Sequence, residues 1–197
     1  PAGALLRVGA RAPLPERVPL PWADLASRHR LSIQVTLASS PSAAAPGCVV
    51  ALALGRGFAL WDGTRYVNRE RYVEPFDLPG VTTTTTGDSA AFTRVERLDD
   101  SRMAARDVAL SADRVAVAFD GNTAFRARVV DFYDRRTGAY TNSLSFPGRI
   151  AAVADDGRTL YVAFMRRGRA AVAAFPYAPP PSAARDSTPG GRVLTLH

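Results

Sequence analysis

The chain has 197 residues, 47% of them hydrophobic and 22% charged, the proportions of a folded globular protein and not of a disordered one. Its 25 basic residues are all arginine and exceed the 18 acidic ones by 7, a balance that favours anionic partners: an acidic protein surface, anionic lipid headgroups or nucleic acid. The longest apolar run, Cys48 to Leu54, is seven residues where a membrane-spanning helix needs about 20, and a single cysteine excludes an internal disulfide.

From Ala4 to Pro21 the pattern is strand, Pro-rich turn, strand: ALLRVGA, RAPLPE, RVPLP. A short helix is predicted from Pro21 to Arg30. Proline stands at its first turn, Trp22, Leu25 and Ala26 share a face, and Arg28, His29 and Arg30 suit the negative C-terminal end. Leu31 to Leu37 reads as a strand, and Ser39 to Gly47 as a loop by composition. CVVALALG and GFALWDG then form a hairpin turning at Gly55-Arg56-Gly57, and Asp62-Gly63 opens a turn into TRYVNR. Asp-Gly recurs at Asp120-Gly121 and Asp156-Gly157; between apolar stretches the pair predicts a type I′ hairpin turn, which needs positive φ at both central residues.

The β-branched run Thr82 to Thr86 favours an extended edge strand. Arg128 to Asp134, Arg136-Thr137-Gly138 and Tyr140 to Phe146 read again as strand, turn, strand. Residues 1–177 are therefore expected to form one all-β domain. Residues 178–197, rich in Pro, Gly and Ser from Pro179 to Gly191, are expected to form a flexible tail, or an arm ordered against a partner.

One motif occurs twice: VALSADRVAVAF from Val108 and AAVADDGRTLYVAF from Ala151. Each is a short apolar stretch, a polar turn and a second apolar stretch closing on Val-Ala-Phe. The endings start at Val117 and Val162, 45 positions apart, and about 40 to 45 residues is the length of one four-stranded propeller blade. A second recurrence, apolar-x-apolar-Pro, marks predicted strand ends at VPLP (Val18), FDLP (Phe76) and LSFP (Leu144).

Over Val108 to Phe175 the sequence resembles bacterial six-bladed β-propeller proteins of the NHL-like and YncE-like kind. The stretches that carry the resemblance are DVALSADRVAVAF, RVVDFYDRRTGAYTNSLSFPGRI and AAVADDGRTLYVAF. It implies inner, middle and outer strands in chain order, with Asp134, Thr137 and Gly138 in the turn of the outer hairpin. Six blades of about 45 residues need about 270. The expected fold is thus an all-β antiparallel repeat forming a partial or small propeller, with an open β-sandwich as the alternative. Unpaired edges of an open array must be covered, and a neighbouring subunit would serve.

The residues for chemistry are sparse. The two histidines are His29 and His197, and no Gly-x-Ser-x-Gly elbow accompanies them. Cys48 lies in an apolar run, where a thiolate is disfavoured. With one Cys and two His a zinc site would be mostly carboxylate, which zinc disfavours. The oxygen-rich turns Asp99-Asp100, Asp120-Gly121-Asn122 and Asp155-Asp156-Gly157 lack the EF-hand spacing that would mark calcium. Gly55-Arg56-Gly57 is too short for a phosphate loop. Asp107, Asp113 and Asp131 are eligible for paired-carboxylate glycoside hydrolysis, which only geometry decides. No catalytic, cofactor-binding or metal-binding residue is nominated.

The expected function is a non-catalytic interaction or scaffold subunit. It would dock through arginines and the Pro-rich tail onto a larger assembly, soluble or membrane-bound, whose other subunits present acidic surface or anionic lipid. The docking candidates are Arg135, Arg136, Arg166, Arg167, Arg169, Arg185 and Arg192. Nucleic acid fits least, since the arginines are scattered with no aromatic interleaving. A ligand- or peptide-binding propeller of the cell envelope and a hydrolase or lyase are the other readings. The compartment is open, with a lean to periplasmic or membrane-peripheral.

Overall fold

The computed structural model describes residues 4–7, 16–19, 22, 35–40, 46–74, 76, 81–86, 92–97, 103–121, 127–176 and 192–195. Sixteen strands run through them: β1 (Ala4–Arg7), β2 (Glu16–Pro19), β3 (Val35–Ser39), β4 (Cys48–Leu52), β5 (Gly57–Trp61), β6 (Tyr66–Arg71), β7 (Val81–Thr86), β8 (Phe92–Arg97), β9 (Ala105–Leu110), β10 (Arg114–Phe119), β11 (Val129–Asp134), β12 (Tyr140–Ser145), β13 (Arg149–Asp155), β14 (Thr159–Arg166), β15 (Arg169–Pro176) and β16 (Arg192–Thr195). Among the described residues there is no helix; the helix predicted from Pro21 to Arg30 lies outside them apart from Trp22.

The fold is all-β and antiparallel. Three four-stranded sheets are meanders in chain order, β3 to β6, β9 to β12 and β13 to β16, and β1–β2 and β7–β8 are separate pairs. The two Val-Ala-Phe endings occupy the same station, closing along the second strand of the second sheet (β10) and of the third (β14). Their alternation explains the layering, because successive side chains on a strand point to opposite faces. Val115, Val117 and Phe119 of β10 join a core shared with the first sheet, including Val49, Phe58 and Tyr72. Ala116 and Ala118 join a second core shared with the third sheet, including Ile150, Val162 and Phe164. The middle strands of the second sheet, β10 and β11, are thus buried on both faces, and its edge strand β12 is exposed. Fully burying side chains such as Phe58 and Phe164 stabilises by about 1.5 to 3 kcal/mol each.

The first strands of the three sheets lie together: β9 packs against β3 on one side and β13 on the other. The first sheet is also buried at the centre of its face away from the second, where Val50 and Ala59 are both inaccessible, while Leu37 beside them on the edge strand β3 is exposed. The third sheet differs. Its face away from the second carries the exposed Tyr161 and Met165.

Several turns depart from expectation. The first hairpin turns at residues 53–56, and Gly57 is already the first residue of β5. Its close approach to β6 explains the glycine: a Cβ there would stand 1.9 Å from the Glu70 carbonyl oxygen. The Asp-Gly pairs are not type I′ turns. Gly63 and Gly157 have positive φ, but the aspartates before them do not. Their carboxylates instead accept backbone N–H groups, Asp62 from Thr64 and Arg65, each at 2.8 Å, and Asp156 from Arg158 at 2.7 Å and Thr159 at 2.6 Å. Asp120-Gly121 opens no tight turn at all but the long connection 120–128 between β10 and β11.

The type I′ geometry occurs at Arg167-Gly168, with φ of 49° and 77°, joining β14 to β15 directly. Of the FDLP recurrence only Phe76, a buried residue beyond the end of β6 at Arg71, lies within the described residues. Of the expected tail, Arg192–Thr195 pairs with β15 as the fourth strand of the third sheet, in keeping with its β-branched and apolar content. Residues 177–191 lie outside the described set.

Candidate functional site

Asp107, at the centre of β9, stands where the three first strands meet. Its Oδ1 accepts from the Thr36 hydroxyl of β3 at 3.4 Å and from the Val108 amide at 2.9 Å, and its Oδ2 accepts from the Val153 amide of β13 at 2.8 Å. One carboxylate therefore ties β9 to both neighbouring sheets.

A bulge at Arg106 of β9, opposite the end of β10, brings that arginine to 2.9 Å from a second carboxylate, Asp120, which also lies 3.8 Å from Arg149 of β13. The Asp120 side chain is only 2% exposed. Asp120 also borders a cleft of about 370 Å³ whose other walls include Val73, Glu74, Phe119, Asp131, Ser143 and Ser145. Asp131 of β11 is buried and accepts from the Ser143 hydroxyl of the adjoining strand β12. Burial pushes its carboxyl pKa up, and the nearby Glu74 carboxylate adds to the rise. The cleft is therefore an acidic, half-apolar recess in a basic molecule.

The three carboxylates nominated for hydrolysis occupy different settings. Asp107 faces the strand junction and Asp131 the cleft. Asp113 lies in the β9–β10 turn, where the Arg114 guanidinium (3.1 and 3.2 Å) and the Ser111 hydroxyl (3.0 Å) hold its carboxyl below the usual range. The calcium-type turn at Asp155-Asp156-Gly157 directs its carboxylates to its own amides, including Gly157 to Asp155 at 2.8 Å. Asp99-Asp100 lies outside the described residues, as do His29 and His197. Among the described residues no group of three His, Cys, Asp or Glu is placed to hold a metal ion. Cys48 is half-buried, and that burial raises its thiol pKa, in line with a reduced, unreactive side chain.

The arginines nominated for docking divide into two kinds. Arg135 is spent inside the molecule: its guanidinium donates to the Ser111 carbonyl (2.8 Å), the Pro46 carbonyl (2.8 Å) and the Ser40 hydroxyl (3.3 Å), clamping the second sheet to the first. Arg136 is exposed in the β11–β12 turn, whose shape comes from Asp134 accepting both the amide and the hydroxyl of Thr137 at 2.7 Å and from Gly138 at φ 73°. Arg166, Arg167 and Arg169 are exposed together around the β14–β15 turn. Arg192 begins β16, and Arg185 lies outside the described residues. The sequence missed Glu74, Arg106 and Ser143, for which no local signal exists; each acquires its role from residues distant in the chain or across a strand pair.

No family model matches the chain, and no curated protein matches it.

Proposed function

We propose that the protein is a non-catalytic interaction subunit, built as a propeller-like array of four-stranded blades, that docks on an acidic surface of a protein partner through the β14–β15 hairpin tip. The observation that carries this reading is the clustering of Arg166, Arg167 and Arg169 on one exposed turn, with no carboxylate among the described residues paired to them. A two-residue type I′ turn holds the backbone of the tip in one shape, so the three arginines project from one fixed place. Guanidiniums bind carboxylates bidentately. The meander order of each sheet and the side-by-side first strands support the propeller-like arrangement.

The test is fluorescence anisotropy with a labelled polyglutamate peptide. Reversing all three tip arginines to Glu is expected to weaken binding at least tenfold, whereas reversing the exposed Arg65, Arg71 and Arg158, an equal change in net charge, weakens it much less. Roughly 1.4 kcal/mol underlies each tenfold step. Equal losses for the two triple variants would reduce the tip to general electrostatics and end the reading.

A further inference from the structure

The third sheet has one face that its repeat partner does not leave open. On β10, Ala116 and Ala118 alternate with Val117 and are buried against the next sheet. Aligning Val117 with Val162 puts Tyr161 and Ala163 of β14 at the same steps. Yet Tyr161 is 40% exposed and Met165 is 45% exposed. The strand register sets Ala152 beside Ala163, Ala154 beside Tyr161, and Ala170 beside Met165, and all three of these flanking alanines are exposed. The result is an apolar face with Tyr161 and Met165 on β14, alanines beside them, and the half-buried Val172 beside Ala163.

We propose that this face is closed by the same face of a second copy of the chain, across a twofold axis that crosses the strands near Ala163. Three observations favour a second copy. First, among the described residues the middle strands of the first sheet, β4 and β5, and of the second, β10 and β11, are buried on both faces, whereas β14 exposes Tyr161 and Met165, so the outer face of the third sheet is the one whose middle strand a second copy can reach. Its contact is then isologous, the commonest form of self-association.

Second, the shapes fit. Packed sheets lie about 10 Å apart, and the flanking alanines leave room for the larger side chains. An axis at Ala163 lays Tyr161 of one copy over Met165 of the other, a favourable sulfur–aromatic pairing.

Third, charge selects the axis. Arg166, Arg167 and Arg169 stand at one end of the face, and the β13–β14 turn at the other end carries Asp156 balanced by the exposed Arg158. The Arg158 and Thr159 amides hold the Asp156 carboxyl below the usual range, so it is ionised at neutral pH. An axis along the strands would stack the two arginine ends on each other. An axis across the strands sets each arginine end toward Asp156 of the other copy and carries the two tips to opposite ends of the dimer. Four strands spaced about 4.8 Å apart still give a face short of the roughly 800 Å² per partner of a standard interface, so the dimer is of the weak, reversible kind.

Sedimentation equilibrium through the micromolar range tests this. The parent is expected to show a concentration-dependent monomer–dimer equilibrium, and Ala163→Arg is expected to raise its dissociation constant at least tenfold by placing two charges face to face at the axis. Ala154→Arg, at a more exposed position, is expected to act in the same direction and decides the matter if circular dichroism shows Ala163→Arg to be misfolded. A parent that stays monomeric throughout, or a dimer indifferent to the folded variant, overturns the proposal. Polyglutamate binding by the monomeric variant is read separately, so loss of the dimer and loss of tip docking are distinguishable.

Discussion

Asp107 does with one side chain what loops do not: it joins three strands that belong to three different sheets. Replacing it with Ala strands the Val153 amide, and an unsatisfied buried donor costs about 1 to 3 kcal/mol. Asp107→Ala is therefore expected to lower the unfolding free energy by that amount, read as a lower urea midpoint with an unchanged slope. Asp131 behaves in the opposite way. Its folded pKa is raised by burial, so as pH rises above the unfolded value the unfolded chain ionises first and stability is lost. Asp131→Asn, which can still accept from Ser143, is expected to remove that loss, so the urea-denaturation stability of the variant relative to the parent increases from pH 4 to pH 7. A constant difference across that range would contradict the assignment. In the sequence Asp107, Asp113 and Asp131 are equivalent. What separates them is the company they keep after folding: Thr36 lies 71 positions and Val153 46 positions from Asp107, distances that periodicity does not span.

Strands and hairpins were more legible than their turns. The alternation in VAVAF and LYVAF gives β10 and β14 directly, because one face of each must be apolar to enter a core. The Asp134, Thr137, Gly138 turn likewise follows from its residues, as hydrogen bonding of a short polar side chain to the following amides is a local matter. The Asp-Gly pairs misled because the same dipeptide serves two geometries, and here the aspartate side chain captures backbone amides while its own φ stays negative. At Arg167-Gly168 the left-handed residue is an arginine, a conformation that costs a non-glycine residue roughly 1 kcal/mol. Arg167→Gly is therefore expected to stabilise the fold by about 0.5 to 1 kcal/mol, measured by chemical denaturation. A loss of stability would mean that the arginine side chain contributes more than its backbone costs.

At the scale of the molecule, the all-β character and the 45-residue recurrence of Val-Ala-Phe were readable, but the pairing of strands into three full meanders was not. The first sheet carries no copy of the Val-Ala-Phe motif, and β3 begins 70 residues before β9 where β13 begins 44 after it. Chain-wide charge proved a poor guide to surface function. Arginines identical in sequence divide between an internal clamp, Arg135, and an exposed tip, Arg166, Arg167 and Arg169, and the basic whole still contains an acidic cleft around Asp131. What a residue type contributes is decided by which sheet face and which turn it occupies.

Asp107 also imposes an order in time. A chain is made from its N-terminus, and each meander pairs neighbours in sequence, so most strand pairing needs only segments already synthesised nearby. The carboxylate cannot be fully seated on that schedule. Thr36 is made long before it, but the amide that its other oxygen accepts belongs to Val153, 46 residues later. Until that strand emerges, the seam between the first two sheets carries a charged oxygen that only water can satisfy.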